Sequence, residues 1–144
     1  MDRRRPLLKA VVDTNVVAYV LLGTEPYVDE ARTFLASVSL AQAPAVWEAE
    51  LANVLWMATR HKVLTIEDAS RRLTLADSLR IASVPNRALW QGALVRAAQS
   101  GIAVYDTLFV ELAARERIPL ATFDAGLIKA FPDIAARPAA VLRK

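Results

Sequence analysis

Hydrophobic residues come in short unbroken runs and in helical stripes along this chain, not in the strict alternation of a half-buried strand. The first run, Lys9-Ala10-Val11-Val12, stops abruptly at Asp13, and apolar residues return from Val16. Such a run reads as a parallel strand buried on both faces and feeding a helix across a tight turn. The helical pattern continues to about Leu22, where Gly23 offers a stop. A second helix is predicted from near Pro26 through Ala31, Phe34 and Leu35 to about Val38, making a helical hairpin beside the strand. Leu40-Ala41-Gln42-Ala43-Pro44 is too short for a helix and runs into a proline, so it reads as a brief strand.

From Ala45 to about Lys62 the pattern is strongly helical. Val46, Trp47, Leu51, Val54, Leu55 and Ala58 define a wide apolar face, and Glu50 falls on it, one turn from Val46 and from Val54. An acid there is partly desolvated, which is costly without a cation, a donor or a metal. Glu48 points elsewhere and is assigned to solvent. Asn53 either orients Glu50 or bonds the backbone. Thr65-Ile66-Glu67-Asp68 has the pattern of a capping box and starts a helix to about Leu79. Ile81 to Val84 reads as a short strand, closed by Pro85-Asn86. A helix follows from Arg87 to Ser100, with Leu89, Ala93, Leu94 and Ala97 inward and Gly101 at its end.

The segment from Ile102 to Ala113 repeats the opening logic: an apolar lead-in presents Asp106 at the start of a helix that is apolar on most of its surface. Glu111 is expected at the surface. Ile118 to Phe123 is a further buried strand ending in Asp124, followed by a short helix from Ala125 to about Phe131. Asp133 belongs to a solvated loop, and Ala139 to Leu142 suggests a last strand. Strands and helices alternate throughout 144 residues with no repeat, low-complexity tract or linker. This predicts one domain, residues 1–144, folded as a three-layer α/β/α sandwich with a mostly parallel sheet.

Composition narrows the chemistry. The chain has no cysteine, which excludes a disulfide framework and fits a reducing compartment. Asp13 and Asn15 interrupt the apolar start, so it is not a signal peptide, and no apolar run reaches the length of a membrane span. A cytoplasmic protein is expected. The net charge is +3; setting aside four acids that share a site leaves +7 elsewhere, a balance suited to a polyanionic substrate. Arg3-Arg4-Arg5 is expected to be a solvated tail.

Parallel strands bring their carboxyl ends to one edge of the sheet. Asp13 and Asp124 end strands, Asp106 begins a buried helix, and Glu50 interrupts an apolar helix face. Three have a bland explanation, capping for Asp13 and Asp106 and a salt bridge for Glu50. Four carboxylates in one cleft, however, stay ionised only if cations neutralise them, and hard oxygen ligands favour Mg²⁺ or Mn²⁺. A metal so held activates water for attack on a phosphodiester. The sole histidine, His61, sits late on a helix beside Lys62 as a surface or C-cap residue, so imidazole general-base and zinc chemistry have no support.

The motifs Val12-Asp13-Thr14-Asn15-Val16, Glu50-Leu51-Ala52-Asn53-Val54-Leu55, Tyr105-Asp106-Thr107-Leu108 with Leu112-Ala113, and Leu120-Ala121-Thr122-Phe123-Asp124 resemble, in this order, the PIN-domain family, and most of all its VapC-type toxins. The resemblance covers essentially the whole chain. It implies a divalent-metal-dependent endoribonuclease acting on RNA, with Asp13 and Asp106 as principal metal ligands and Glu50 and Asp124 completing the acidic cluster. It also implies that Thr14 holds a metal-bound water, that Thr122 braces the last acid, and that the protein is a homodimer. A VapB-like antitoxin would cover the cleft, and the helices between Pro26 and Lys62, with Trp47, Trp56 and Met57, are the expected contact. A PIN nuclease of RNA processing shares the same site. A receiver domain would need paired acids after the first strand and has no place for Glu50, and a catalytically silent binding module would not require all four acids.

Overall fold

A computed structural model describes residues 7–143; Arg3-Arg4-Arg5 lies outside the described residues. The chain runs β1 (Lys9–Val12), α1 (Thr14–Leu22), α2 (Val28–Ser37), β2 (Leu40–Pro44), α3 (Val46–Arg60), α4 (Ile66–Asp77), β3 (Ala82–Val84), a 3-10 turn (Asn86–Ala88), α5 (Trp90–Ser100), α6 (Val104–Glu116), β4 (Leu120–Ala121), α7 (Ala125–Ala130), β5 (Ala135–Ala136) and α8 (Pro138–Leu142). The strands form one sheet in the order β3-β2-β1-β4-β5, and every pairing is parallel.

This order follows from connection handedness. Right-handed crossovers from β1 to β2 and on to β3 step one way and leave α1 to α4 on one face; the return from β3 to β4 steps back and puts α5 and α6 on the other. The packing agrees: α1 meets α2 and α3, and α3 meets α4, whereas α5 meets α6, which lies on β1, β2 and β4. The result is the three-layer sandwich expected. Its core is β1 (Ala10, Val11, Val12), the inner sides of α1 and α3, and α6, buried continuously from Thr107 to Ala113.

Gly23 and Gly101 cap α1 and α5 in the left-handed conformation, as their positions suggested. Thr65 caps α4 by accepting from Asp68 N, and His61 is the exposed C-cap residue of α3. Several expectations are corrected. The helix expected near Pro26 begins at Val28, and the Glu25–Pro26 peptide is cis. Leu94 is exposed, because α5 buries only Ala93 against its neighbours. Ala139 to Leu142 is part of helix α8, started by Pro138 in its first turn, and the last strand is instead Ala135–Ala136. Glu111 is buried at 9% exposure, where Arg96 and Arg115 each bond its carboxylate.

Candidate active site

Between β1 and β4 the chain leaves adjacent strands toward opposite faces of the sheet. Such a switch point opens a crevice at the carboxyl ends of the strands. Asp13 lies at its floor, directly after β1, and is 6% exposed. It does cap α1, accepting from Thr14 N at 2.7 Å through Oδ1. Its Oδ2 accepts from the Thr122 hydroxyl at 2.7 Å and from Asn15 Nδ2 at 3.4 Å. Capping and site placement are therefore one arrangement, not rival explanations.

The other three acids approach from different elements. Asp124 caps α7 through Oδ1, which accepts from Gly126 N at 2.8 Å and Leu127 N at 3.2 Å. Its Oδ2 takes no hydrogen bond from the described residues. Glu50 is half-buried on α3 and accepts from the Thr14 hydroxyl at 2.7 Å. Asp106 stands in the first turn of α6, whose N-cap is Ala103, and its carboxylate caps nothing. The capping explanation for Asp106 is thereby removed.

The electrostatics show that these groups share one neighbourhood. Burial raises the Asp13 carboxyl to about 7; the Thr122 hydrogen bond opposes this, and the Asp106 and Glu50 charges add to it. Glu50 is raised by burial, opposed by its bond from Thr14, and raised further by Asp106. Asp106 is raised by burial and by Asp124. Among the described residues no Lys or Arg forms an ion pair with any of the four. As the side chains stand, no three acids or histidines among those residues close on a single point. The donor set nonetheless fits a hard divalent cation, being all carboxylate oxygen with no thiolate or imidazole.

Three positioning residues escaped the sequence reading. Asn15 bridges the crevice: its Nδ2 reaches Asp13 and the Thr122 hydroxyl, and its Oδ1 accepts from Phe123 N at 3.2 Å. Asn86 accepts from Val46 N at 3.1 Å, so the 3-10 turn after β3 holds the start of the helix that carries Glu50. The Thr107 hydroxyl donates to Ala93 O at 2.7 Å and fixes α6 on α5 beside Asp106. For Asn15 and Thr107 the available signal was a polar residue one or two places from a candidate acid; Asn86 carried none. Thr122 braces the first acid as well as the last, since its hydroxyl donates to Asp13 and accepts from Asp124 N at 3.0 Å. Asn53 is exposed.

Among solved structures the fold is similar to that of PAE2754 from Pyrobaculum aerophilum, at 18% identity and a TM-score of 0.73, covering 94% of this chain and 88% of that one. It is also similar to VapBC2 from Rickettsia felis, solved bound to a DNA fragment from their promoter (17% identity, TM-score 0.63, 90% and 98% covered). A toxin-antitoxin complex from Klebsiella pneumoniae matches at 17% identity and a TM-score of 0.64, with 90% and 97% covered. No curated protein sequence matches the chain. The family comparison matches the PIN domain over residues 10–132, which holds β1 but for Lys9, all of β2, β3 and β4, and all four acids. The chain belongs to the PIN domain family, whose members are generally nucleases.

Proposed function

We propose that this chain is a Mg²⁺- or Mn²⁺-dependent endoribonuclease, one PIN-like domain over residues 1–144, and the toxin of a VapBC-like toxin–antitoxin pair. The observation that carries the reading is electrostatic. Asp13, Glu50 and Asp106 are raised by burial and by one another or by Asp124, and no protein cation among the described residues compensates them.

Asp13 and Asp106 would hold the metal, with Glu50 and Asp124 completing the set. A bound divalent ion supplies polarisation of the phosphodiester and a water of lowered pKa. The residues of the chain hold these carboxylates in place. Thr122 and the Thr14 amide fix both oxygens of Asp13, the Thr14 hydroxyl turns Glu50 toward the crevice, and the start of α7 fixes Asp124. With its carboxyl near 7, Asp13 carries a proton part of the time at neutral pH until a cation displaces it.

The toxin part is supported by the toxin-antitoxin complex and VapBC2, whose chains this one matches over 97% and 98% of their length. A VapB-like antitoxin has an apolar surface to grip. Trp47 is largely buried, donating through Nε1 to Ser83 Oγ at 2.8 Å, and it lines a groove of about 580 Å³ beside α3 and α4 in which apolar Leu51, Leu73 and Ile81 mix with polar Glu48, Thr74 and Asp77. Trp56, Ile66 and Leu73 stay exposed on the same two helices. The homodimer would use α5, where Trp90, Leu94 and Val95 are exposed. Among the described residues no helix is long and apolar enough to cross a membrane.

The test is cleavage of structured RNAs by purified protein with Mg²⁺ or Mn²⁺, beside an EDTA control and Asp106→Asn. Cutting that needs metal and disappears in the variant is the expected result. No cutting at any metal concentration, with no metal binding by calorimetry, would overturn the proposal.

A further inference from the structure

Arg137 follows β5 directly, at the same level of the sheet as Asp13 after β1 and Thr122 after β4, because Val12 pairs with Ala121 and Ala121 with Ala136. Two strand spacings separate Arg137 from Asp13, about 10 Å along the carboxyl edge. The side chain there is held on two sides. Its guanidinium lies over the Phe123 ring at 4.8 Å and the Tyr27 ring at 5.5 Å. At its edge Glu30 takes two bonds, from Nη2 at 2.6 Å and Nε at 3.3 Å, and Glu30 itself is fixed by Ala139 N at 3.0 Å. Beneath, Tyr19 stacks on Tyr27 at 4.8 Å and both rings pack on Phe123, the residue before Asp124. The Arg137 side chain is nevertheless 46% exposed.

A guanidinium whose charge is matched by Glu30 is a weak phosphate clamp. One kept flat by a carboxylate fork, with rings behind it, is a ready stacking surface. Unpaired RNA bases stack on aromatic rings and on arginine planes. We propose that the outer face of Arg137, backed by Phe123 and Tyr27, receives the base of a nucleotide flanking the phosphate held in the acidic crevice, making Arg137 a residue that positions unpaired RNA. The inference rests on the nuclease reading above. Its structural alternative is a simple pin between α2 and α8, made by the two bonds to Glu30, and such a pin is indifferent to the base of a bound nucleotide.

Arg137→Lys keeps a positive charge opposite Glu30 and loses the plane and the two-bond fork, so the response to a missing base, which a pin alone would leave unchanged, is what separates the two roles. The substrates are single-stranded RNA oligonucleotides cut by the wild type, and copies with one abasic position placed in turn on each side of the scissile bond. We expect the wild type to be impaired about tenfold by one abasic position. Arg137→Lys should raise KM about tenfold with kcat within twofold, lose that abasic sensitivity, and melt within a few degrees of the wild type. An unchanged KM, or abasic sensitivity that persists in Arg137→Lys, overturns the proposal while leaving the nuclease intact. If the wild type cuts nothing, the nuclease reading falls, and fluorescence anisotropy with the same labelled oligonucleotides decides the stacking question. Weaker binding by Arg137→Lys then supports it, and equal or absent binding overturns it.

Discussion

Two buried acids in this molecule are treated in opposite ways. Glu111 on α6 is desolvated, but hydrogen bonds from Arg96 at 2.9 Å and Arg115 at 2.6 Å outweigh burial and hold its carboxyl below the ordinary range. Asp13 is desolvated too, and its partners are hydroxyl, amide and other acids, so it rises to about 7. The fold completes one acid with its own cations and leaves the other in want of one. Burial alone does not distinguish the two acids; the presence or absence of a compensating protein cation does.

Activity should separate them most sharply. Asp106→Asn is expected to lower metal-dependent RNA cleavage by about a thousandfold or more, and Glu111→Gln by less than threefold at a temperature where both are folded. Equal losses would dissolve the distinction.

Stability against pH comes next. Asp13 binds its proton more tightly folded than unfolded, so the stability it contributes is full below its ordinary 3.8 and is lost as pH rises toward 7. The full shift corresponds to about 4 kcal/mol at pH 8, an upper bound. Glu111 works the other way: its contribution is present above its ordinary 4.5 and lost as pH falls below that. Urea unfolding without metal should therefore show wild type losing stability from pH 5 to pH 8 and Asp13→Asn losing much less. Adding Mg²⁺ at pH 8 should restore the wild type and leave Asp13→Asn where it was. Parallel curves for the two proteins would refute the assignment.

Smaller effects probe the paired acid. Glu111→Gln strands two arginines and should cost about 1–2 kcal/mol, less than a fully buried pair because Arg115 is half exposed. Gly92 packs its Cα against the Glu111 carboxylate, and a Cβ there would collide with it. Gly92→Ala should thus destabilise by about 1 kcal/mol despite alanine's better helix propensity, and should turn stabilising when combined with Glu111→Ala. No change of sign in that cycle, read by chemical denaturation, would remove the contact from consideration. Glu48, exposed and bonded to Ser83, is the reference acid; Glu48→Gln should shift neither activity nor stability beyond about 0.5 kcal/mol.

The same contrast explains what was legible in the sequence. Asp13, Glu50, Asp106 and Asp124 could be singled out because each interrupts an apolar run or face, a local signal. Glu111 interrupts one as well, but half of its explanation, Arg96, lies on another helix and only folding brings it near. Arg115, one turn along, was the half in view. The helix at Pro138 was marked by its proline, yet four apolar residues in a row carry no period with which to tell a strand from a helix. β5 could not be read at all. Two alanines have no strand preference, and they pair only because Leu120 N and Thr122 N find Ile134 O and Ala136 O there. Asn15 and Asn86 do their work across the crevice and across the sheet edge, at separations no local pattern records.

The sheet ends on one side in three residues of β3 and on the other in two residues of β5. A foreign strand laid along either border would form too few ladder bonds to stay, and Pro85 and Pro138 close both borders at the carboxyl end. Recruitment by strand addition is thereby shut off. Any partner of this chain that cannot use these short borders would be held through its helices, and release from such a grip would require only that side chains separate, with the sheet left whole.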